Sequence, residues 1–190
     1  MTATDTTIQT SPIPGYRPGS WAIDPVHSEA GFVVRHLMVS KVRGRFSGLE
    51  GVIELGGDPL DSRVDVVIDA ASVDTANPDR DAHVRAPDFL DVEQYPTLEF
   101  HSTSVRSVDD AFVVYGELTL RGVTRPVELR VEINGFQAST PFGDSRVGFS
   151  ATTEINRKDY GVEFNAPLEG GGFALGDKVQ IAIEIEAILQ

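Results

Sequence analysis

A charged segment near the middle of the chain, Asp79-Arg80-Asp81-Ala82-His83, holds residue types suited to polar chemistry. A guanidinium between two carboxylates and beside an imidazole could bind a polar head group, hold a metal ion or transfer protons. The same pattern is typical of a salt-bridged helix start, where acidic residues interact favourably with the helix dipole. The structural interpretation is the stronger one, and the chemical one stays open.

Other candidate motifs give less support to catalysis. The chain has four histidines, and their spacing matches no metal-ligand motif such as His-Glu-x-x-His. Ser28 lies outside any Gly-x-Ser-x-Gly nucleophile motif. The run Gly170-Gly171-Gly172 lacks the Gly-Lys-Ser/Thr ending of a phosphate-binding loop. We therefore predict no catalytic residue, no metal site and no cofactor.

The overall charge restricts the partners. A net charge of −13 opposes binding to nucleic acid, which needs clustered Lys and Arg, and it also disfavours anionic membrane surfaces. With no cysteine, the chain forms no disulfide and offers no thiolate ligand. No apolar run approaches the roughly 20 residues that span a bilayer, so we predict no membrane insertion.

The first residues differ in composition from the rest. Residues 1–19 are rich in Thr, Ser, Pro and Gly and show neither the basic nor the apolar region of a secretory signal. We expect a disordered tail at 1–19, one domain at 20–190 and a cytoplasmic location.

Segments that alternate apolar and polar residues fill most of the chain after Trp21. In the last of them, Val179, Ile181 and Ile183 point one way, while Lys178 and Gln180 point the other. A period of two residues indicates strands with one apolar face. The predicted strands are 21–24, 29–36, 41–55, 63–69, 97–105, 111–120, 126–137, 146–156 and 178–189.

The alternation stops between residues 70 and 96, where we predict one short helix packed over or beside the sheet. About eight long strands joined by mostly sequential turns favour an all-β fold, an up-and-down antiparallel barrel that closes its own edges. A two-sheet sandwich is the alternative.

The interior of an eight-stranded barrel either fills with side chains or holds one small ligand. Several of the ten phenylalanines fall on predicted inner faces, where they could simply fill the core. Small residues interrupt the same strands and could leave room for an apolar ligand: Gly31, Gly44, Gly116, Gly148, Ser150 and Ala151. Composition leaves both possibilities open.

An ordered set of motifs runs from Trp21 to the C-terminus. It begins with Trp21-x-Ile23-Asp24-x-x-His27-Ser28 and Phe32-x-Val34-x-His36, passes through Asp79-Arg80-Asp81-x-His83-Val84-Arg85 and ends with Arg157-x-x-Tyr160-Gly161. This order resembles the YceI-like family of lipocalin-like proteins. The resemblance implies an extended eight-stranded antiparallel barrel whose apolar lumen binds a long-chain amphiphile without catalysis. Many members look periplasmic. Because no secretory signal is visible in this sequence, we expect a cytoplasmic branch of the family here.

We therefore predict a non-catalytic protein that binds or transports a polyisoprenoid, an isoprenoid quinone or a similar lipid. Two alternatives remain: an enzyme acting on a small amphiphile, centred on Asp81 and His83, and a stress-related interaction domain with a solid core, which could be a homodimer. The predicted tail-lining residues are Phe32, Val34, Phe46, Phe100, Phe112, Leu118, Phe149 and Ile155. The predicted polar contacts near the mouth are His36, Arg80, His83 and Arg157.

Overall fold

The computed structural model describes residues 13–109 and 111–190. These residues form eleven strands, all paired antiparallel, and one α-helix. The strands are β1 (Gly19–Ile23), β2 (Glu29–His36), β3 (Ser40–Phe46), β4 (Leu49–Leu55), β5 (Arg63–Asp69), β6 (Val73–Asp74), β7 (Thr97–Val108), β8 (Ala111–Leu120), β9 (Val123–Gln137), β10 (Arg146–Asn156) and β11 (Leu175–Leu189). The helix is α1 (Pro78–Arg85), and short 3-10 turns lie at Pro59–Asp61, Ala70–Ser72 and Arg157–Tyr160.

Strand β1 closes the sheet because it pairs with both β4 and β11. The ring runs β1-β4-β5-β7-β8-β9-β10-β11 and contains eight antiparallel strands. The predicted eight-stranded barrel is thus confirmed. Beyond β1, the long strand β11 continues along β2, and β3 and β6 extend this part of the wall.

The predicted strand 41–55 is divided into β3 and β4 at Ser47-Gly48. A Cβ at Gly48 would lie 3.0 Å from the Cβ atoms of both Asp69 and Ser72. Glycine permits this close approach, and the chain bends there. The bend sends β4 along β1 while β3 stays with β2.

Helix α1 lies in the segment where the alternation stops, as predicted. The Asn77 side chain accepts a hydrogen bond from the Arg80 amide, and Pro78 occupies the first turn, where its missing N–H costs nothing. The helix ends at Arg85. Ala86 follows in an extended conformation because Pro87 disfavours helical geometry in the residue before it. Val84, Leu90 and Val92 then pack against the core at this end of the barrel.

The core has two clusters, one toward each end of the barrel. The first is Trp21, Ile23, Leu49, Ile53, Leu55, Val147, Phe149 and Ala187. The second is Ala30, Phe46, Ala70, Val73, Leu98, Leu120 and Tyr160. We call these the Trp21 end and the α1 end.

The expected tail at 1–19 falls partly on residues 1–12, which lie outside the described part of the chain. In residues 13–18, Tyr16 packs against the Trp21 end: its hydroxyl donates to the Gly56 carbonyl at 2.8 Å, and its ring packs edge-on against Phe136. Among the residues the structure describes, no helix has the length and apolar character needed to cross a membrane.

Candidate functional site

The barrel encloses a cavity of about 510 Å³. This volume lies within the range of small-molecule binding sites and far exceeds the water-sized voids of an ordinary core. Inward-facing side chains such as Phe32, Val131 and Ile183 remain partly accessible because they border this space. The solid-core alternative therefore does not fit the structure.

The cavity wall is built by the alternation of the strands. On β10, Phe149, Ala151, Thr153 and Ile155 line the cavity, while the residues between them point outward. All eight predicted tail-lining residues lie on this wall, contributed by β2, β3, β7, β8 and β10. Whether they contact a ligand stays a prediction.

The small residues contribute less space than expected. Gly31 and Ala151 line the cavity, but Gly148 and Ser150 do not. A Cβ at Gly44 would lie 2.3 Å from the Phe32 ring, and one at Gly116 would lie 2.4 Å from the Phe100 ring. These two glycines therefore let aromatic rings lie flat on the neighbouring strand rather than open the lumen.

The cavity reaches solvent chiefly at the α1 end. Of the four lining residues with exposed side chains, three lie there: Arg80, His83 and Phe164. We call this region the mouth. The predicted site omitted several side chains of the cavity wall here, because they lie on the helical segment, on the loop before β11 and at the start of β11, outside the predicted strands: Val84, Phe89, Leu90, Phe164 and Leu175.

The charged segment Asp79-Arg80-Asp81 at the start of α1 is held by hydrogen bonds to Thr75. Asp81 is buried and accepts hydrogen bonds from the Thr75 amide at 2.8 Å and the Thr75 hydroxyl at 2.6 Å. The hydroxyl bond is the main cause that lowers the pKa of Asp81, so this carboxyl stays ionised. Arg80 donates from Nε to the Thr75 hydroxyl and from Nη2 to the Thr75 carbonyl. The Asp81 carboxylate is thus used in structure, which favours the structural interpretation.

His83 lies at the edge of the mouth between two aromatic rings. Its ring centroid is 4.9 Å from those of Phe89 and Phe164, both edge-on. Its Nε2 lies 3.0 Å from an Asp88 carboxylate oxygen. The two residues of the enzyme alternative, Asp81 and His83, therefore bond to different partners.

Arg157 is buried and bonds to backbone carbonyls of the protein. Its guanidinium donates to the carbonyls of Val162, Phe164 and Gly176 at 2.7–2.9 Å. Only 4% of the residue is exposed, and burial lowers its pKa. These bonds hold the loop between β10 and β11 over the cavity, so Arg157 positions Phe164 at the mouth.

His36 completes the predicted polar set. It is the last residue of β2 and lines the cavity. Its strand partner is Leu175, the first residue of β11. All four predicted polar residues therefore lie at the α1 end, and their contact with a head group stays a prediction.

The lining is cationic wherever it is charged. In the described part of the chain, the cavity wall includes Arg63, Arg80 and Arg157 but neither Asp nor Glu. This is unexpected for a chain with 29 acidic residues. Most acidic residues lie on the outer surface, while the lumen offers apolar contacts and a few cations.

A separate charged cluster lies at the Trp21 end. Asp24, His27 and Glu186 converge there, with the His27 Nδ1 2.8 Å from Asp24. The Arg146 guanidinium bonds to Asp24, Asp144 and Glu186, so these three carboxylates already share one cation. The bond to His27 is the main cause that lowers the pKa of Asp24.

Comparison with known proteins places this barrel in a family. The YceI-like domain profile matches residues 21–187. A UPF0312 protein of Staphylococcus epidermidis is 36% identical over 166 residues, which cover 86% of this chain and 94% of that protein. The protein YceI of Escherichia coli O157:H7 is also 36% identical, over 86% of this chain and 83% of its own length. The chain belongs to the YceI-like family.

Solved structures agree with this assignment. A Campylobacter jejuni YCEI protein superposes on our YceI-like chain with a TM-score of 0.67 at 30% identity, covering 82% of this chain and 90% of that one. A polyisoprenoid-binding domain from Saccharophagus degradans has the same fold, with a TM-score of 0.68 at 17% identity, covering 92% of this chain and all of that one. The extended lipocalin-like barrel is thus a shared feature of these proteins.

Proposed function

We propose that this YceI-like protein binds a long-chain amphiphile, such as a polyisoprenoid, an isoprenoid quinone or a similar lipid, in its lumen and carries it without chemical change. The observation that carries the proposal is the cavity of about 510 Å³ whose wall is apolar along its length and contains no carboxylate among the described residues. An apolar chain is the ligand that such a wall receives best.

The shape of the lumen supports a long tail. The residues of β10 that line the cavity extend from Phe149 to Ile155, and seven residues of strand span roughly 20 Å. Each methylene removed from water contributes about 0.8 kcal/mol before ordering costs, so a long tail binds without specific polar contacts. Selection among tails of similar length is therefore expected to be loose.

The mouth supports a polar head group at the α1 end. Arg80 offers its Nη1, for which we find no partner among the described residues, and His36 borders the same space. Arg157 and His83 are engaged with protein atoms, so we assign them to positioning the mouth rather than to direct contact.

The relatives support the ligand class. The Saccharophagus degradans domain is described as a polyisoprenoid-binding domain, and the family profile covers nearly the whole barrel. We carry this ligand class over to the present chain as part of the proposal. The cytoplasmic location and the homodimer remain predictions beside it.

Native mass spectrometry of protein purified without detergent, followed by organic extraction, tests the proposal. We expect a stoichiometric long-chain isoprenoid or related lipid, or its uptake after incubation with quinones and polyprenols. A protein that stays ligand-free through both steps contradicts the proposal.

A matched pair of variants on β10 tests whether the lumen is the site. Ala151 faces the cavity, whereas its neighbour Thr152 faces outward. We expect Ala151→Phe to fill part of the cavity and reduce lipid uptake at least tenfold, while Thr152→Phe leaves uptake unchanged. Equal uptake by the two variants, both folded by circular dichroism, would place the ligand elsewhere.

A further inference from the structure

The turn between β2 and β3 exposes three consecutive apolar side chains. Leu37, Met38 and Val39 are 41%, 61% and 83% exposed. Apolar residues at a hairpin turn contribute nothing to the core, and water solvates them poorly. A second molecule or surface is needed to remove them from water.

The backbone of this turn is also unusual. Leu37 and Met38 have φ angles of 50° and 61°, and the Val39 amide donates to the His36 carbonyl at 3.1 Å. Two successive left-handed residues define a turn that normally requires Asn-Gly. Apolar residues here are strained as well as exposed, which is typical of positions with a function other than stability.

The hairpin that carries this turn is basic in a strongly acidic protein. Residues 30–49 include four of the sixteen Lys and Arg residues and none of the 29 Asp and Glu residues. Arg45 pairs with Glu29 and Asp74. Arg35, Lys41 and Arg43 are exposed and form no salt bridge within the described residues, and Arg35 lies directly opposite Lys41.

The turn is connected to the mouth of the cavity. The Leu37 amide donates to the Ala174 carbonyl at 2.7 Å, so the turn abuts the loop before β11. That loop exposes Phe164 at the mouth and Phe173, whose ring lies 5.9 Å from the Lys158 ammonium. Exposed apolar side chains and cations therefore surround one end of the lumen.

We propose that the β2–β3 hairpin docks this protein on an anionic lipid bilayer, with Leu37, Met38 and Val39 entering the interface and Arg35, Lys41 and Arg43 contacting lipid phosphates. An apolar tip next to basic residues is the pattern that binds such surfaces. Docking through this hairpin brings the mouth to the membrane, from which a lipid can enter the lumen.

The net charge of the whole protein does not prevent this contact. Screening limits charge interactions to about 8–10 Å at physiological ionic strength, whereas the barrel strands extend roughly 35 Å from the docking end. Glu163 and Glu169 in the neighbouring loop oppose binding locally. The three hairpin cations and the apolar tip outweigh them.

Vesicle sedimentation tests the proposal with the full chain. We expect the protein to bind vesicles of phosphatidylglycerol mixed with phosphatidylcholine and to bind pure phosphatidylcholine much more weakly. Each cation near the surface contributes about a factor of five, so neutralising Arg35, Lys41 and Arg43 to Gln is expected to weaken binding about 100-fold. The matched control neutralises Arg17, Arg106 and Arg130, which lie toward the Trp21 end, and is expected to bind like wild type.

A second variant separates the apolar tip from folding. The double change Leu37→Asn and Met38→Gly gives the turn its preferred residues and removes two apolar side chains, so binding is expected to fall at least about tenfold in a folded protein. Absence of vesicle binding by wild type, equal binding to both vesicle types, or full binding by either hairpin variant overturns the proposal. Ala151→Phe is expected to dock normally, so loss of docking and loss of lumen binding are distinguishable.

Discussion

The two ends of this barrel use their charged residues in opposite ways. At the Trp21 end, one guanidinium, that of Arg146, bonds to three carboxylates, and Trp21 and Ala187 are 1% and 0% exposed. At the α1 end, cations such as Lys41 and Arg43 form no salt bridge within the described residues, and Met38 is exposed.

This difference separates stability from access. Both ends are built from the same alternating strands, but the Trp21 end pairs its charged side chains with one another and buries Trp21, although Val26 and Phe142 are exposed in its loops. The α1 end is completed by a helix and a loop, which leave polar and apolar groups available to ligands and surfaces. Regions that admit ligands are drawn from the less stable parts of a protein, as expected here.

Truncation of the buried tryptophan provides the largest expected effect. Trp21→Ala removes a ring that packs on Phe136 and donates from Nε1 to the Arg17 carbonyl. We expect a loss of about 3–5 kcal/mol in the free energy of unfolding, measured in urea. The counterpart at the other end, Phe164→Ala, is expected to cost about 1 kcal/mol because that ring is partly exposed. Similar losses at the two positions would remove the distinction between the ends.

Arg157 provides the next largest effect, because the mouth depends on it. Arg157→Ala leaves the Val162, Phe164 and Gly176 carbonyls without their donor, and we expect a loss of about 2–3 kcal/mol. Arg157→Lys is not expected to restore stability, since one ammonium does not reproduce the planar fork of donors. Hydrogen exchange of residues 161–177 should accelerate in both variants. Unchanged exchange in that loop would show that Arg157 does not hold the mouth.

The acid stability of the Trp21 end depends on Asp24. The pKa of Asp24 is lowered in the folded state, chiefly by the bond to His27. Its contribution to the free energy of unfolding is therefore complete above the ordinary carboxyl pKa of about 3.9, and it is lost as the pH falls through the lower pKa of the folded state. Asp24→Asn should cost on the order of 1 kcal/mol at pH 7 and flatten the decline in stability below pH 4. Urea unfolding at several pH values measures both effects. If the stability of the variant depended on pH as that of the wild type does, the loss of stability at low pH would be due to other carboxyl groups.

Much of this architecture follows from local sequence pattern. The period of two predicted the long strands and the residues of the wall, from Phe32 to Ile155, because inward direction depends only on position along a strand. The end of the alternation located α1. The division at Gly48 and the short strand β6 depend on packing between distant segments, which the pattern does not record.

The mouth was the least predictable region. The residues Arg80, His83 and Arg157 were named from the sequence, but their roles depend on partners in other segments, such as Phe164 beside His83. The turn at Leu37 and Met38 carries no Gly, Asn or Pro, so nothing in its composition indicated two left-handed residues. Strained positions of this kind contradict local rules and become visible only in the structure.

The same turn provides the smallest expected change in stability, and one of opposite sign. Two non-glycine residues with positive φ cost about 1–2 kcal/mol each, and glycine gives back roughly half of this through its greater freedom in the unfolded chain. Leu37→Asn with Met38→Gly should therefore raise the free energy of unfolding by about 0.5–1 kcal/mol without vesicles present. A control pair, Leu37→Ala with Met38→Ala, removes the same apolar surface but keeps the strain, so it should not stabilise. Destabilisation by Asn-Gly would show that the apolar turn serves folding at the α1 end, and the contrast between a stabilising end and an accessible end would then need revision.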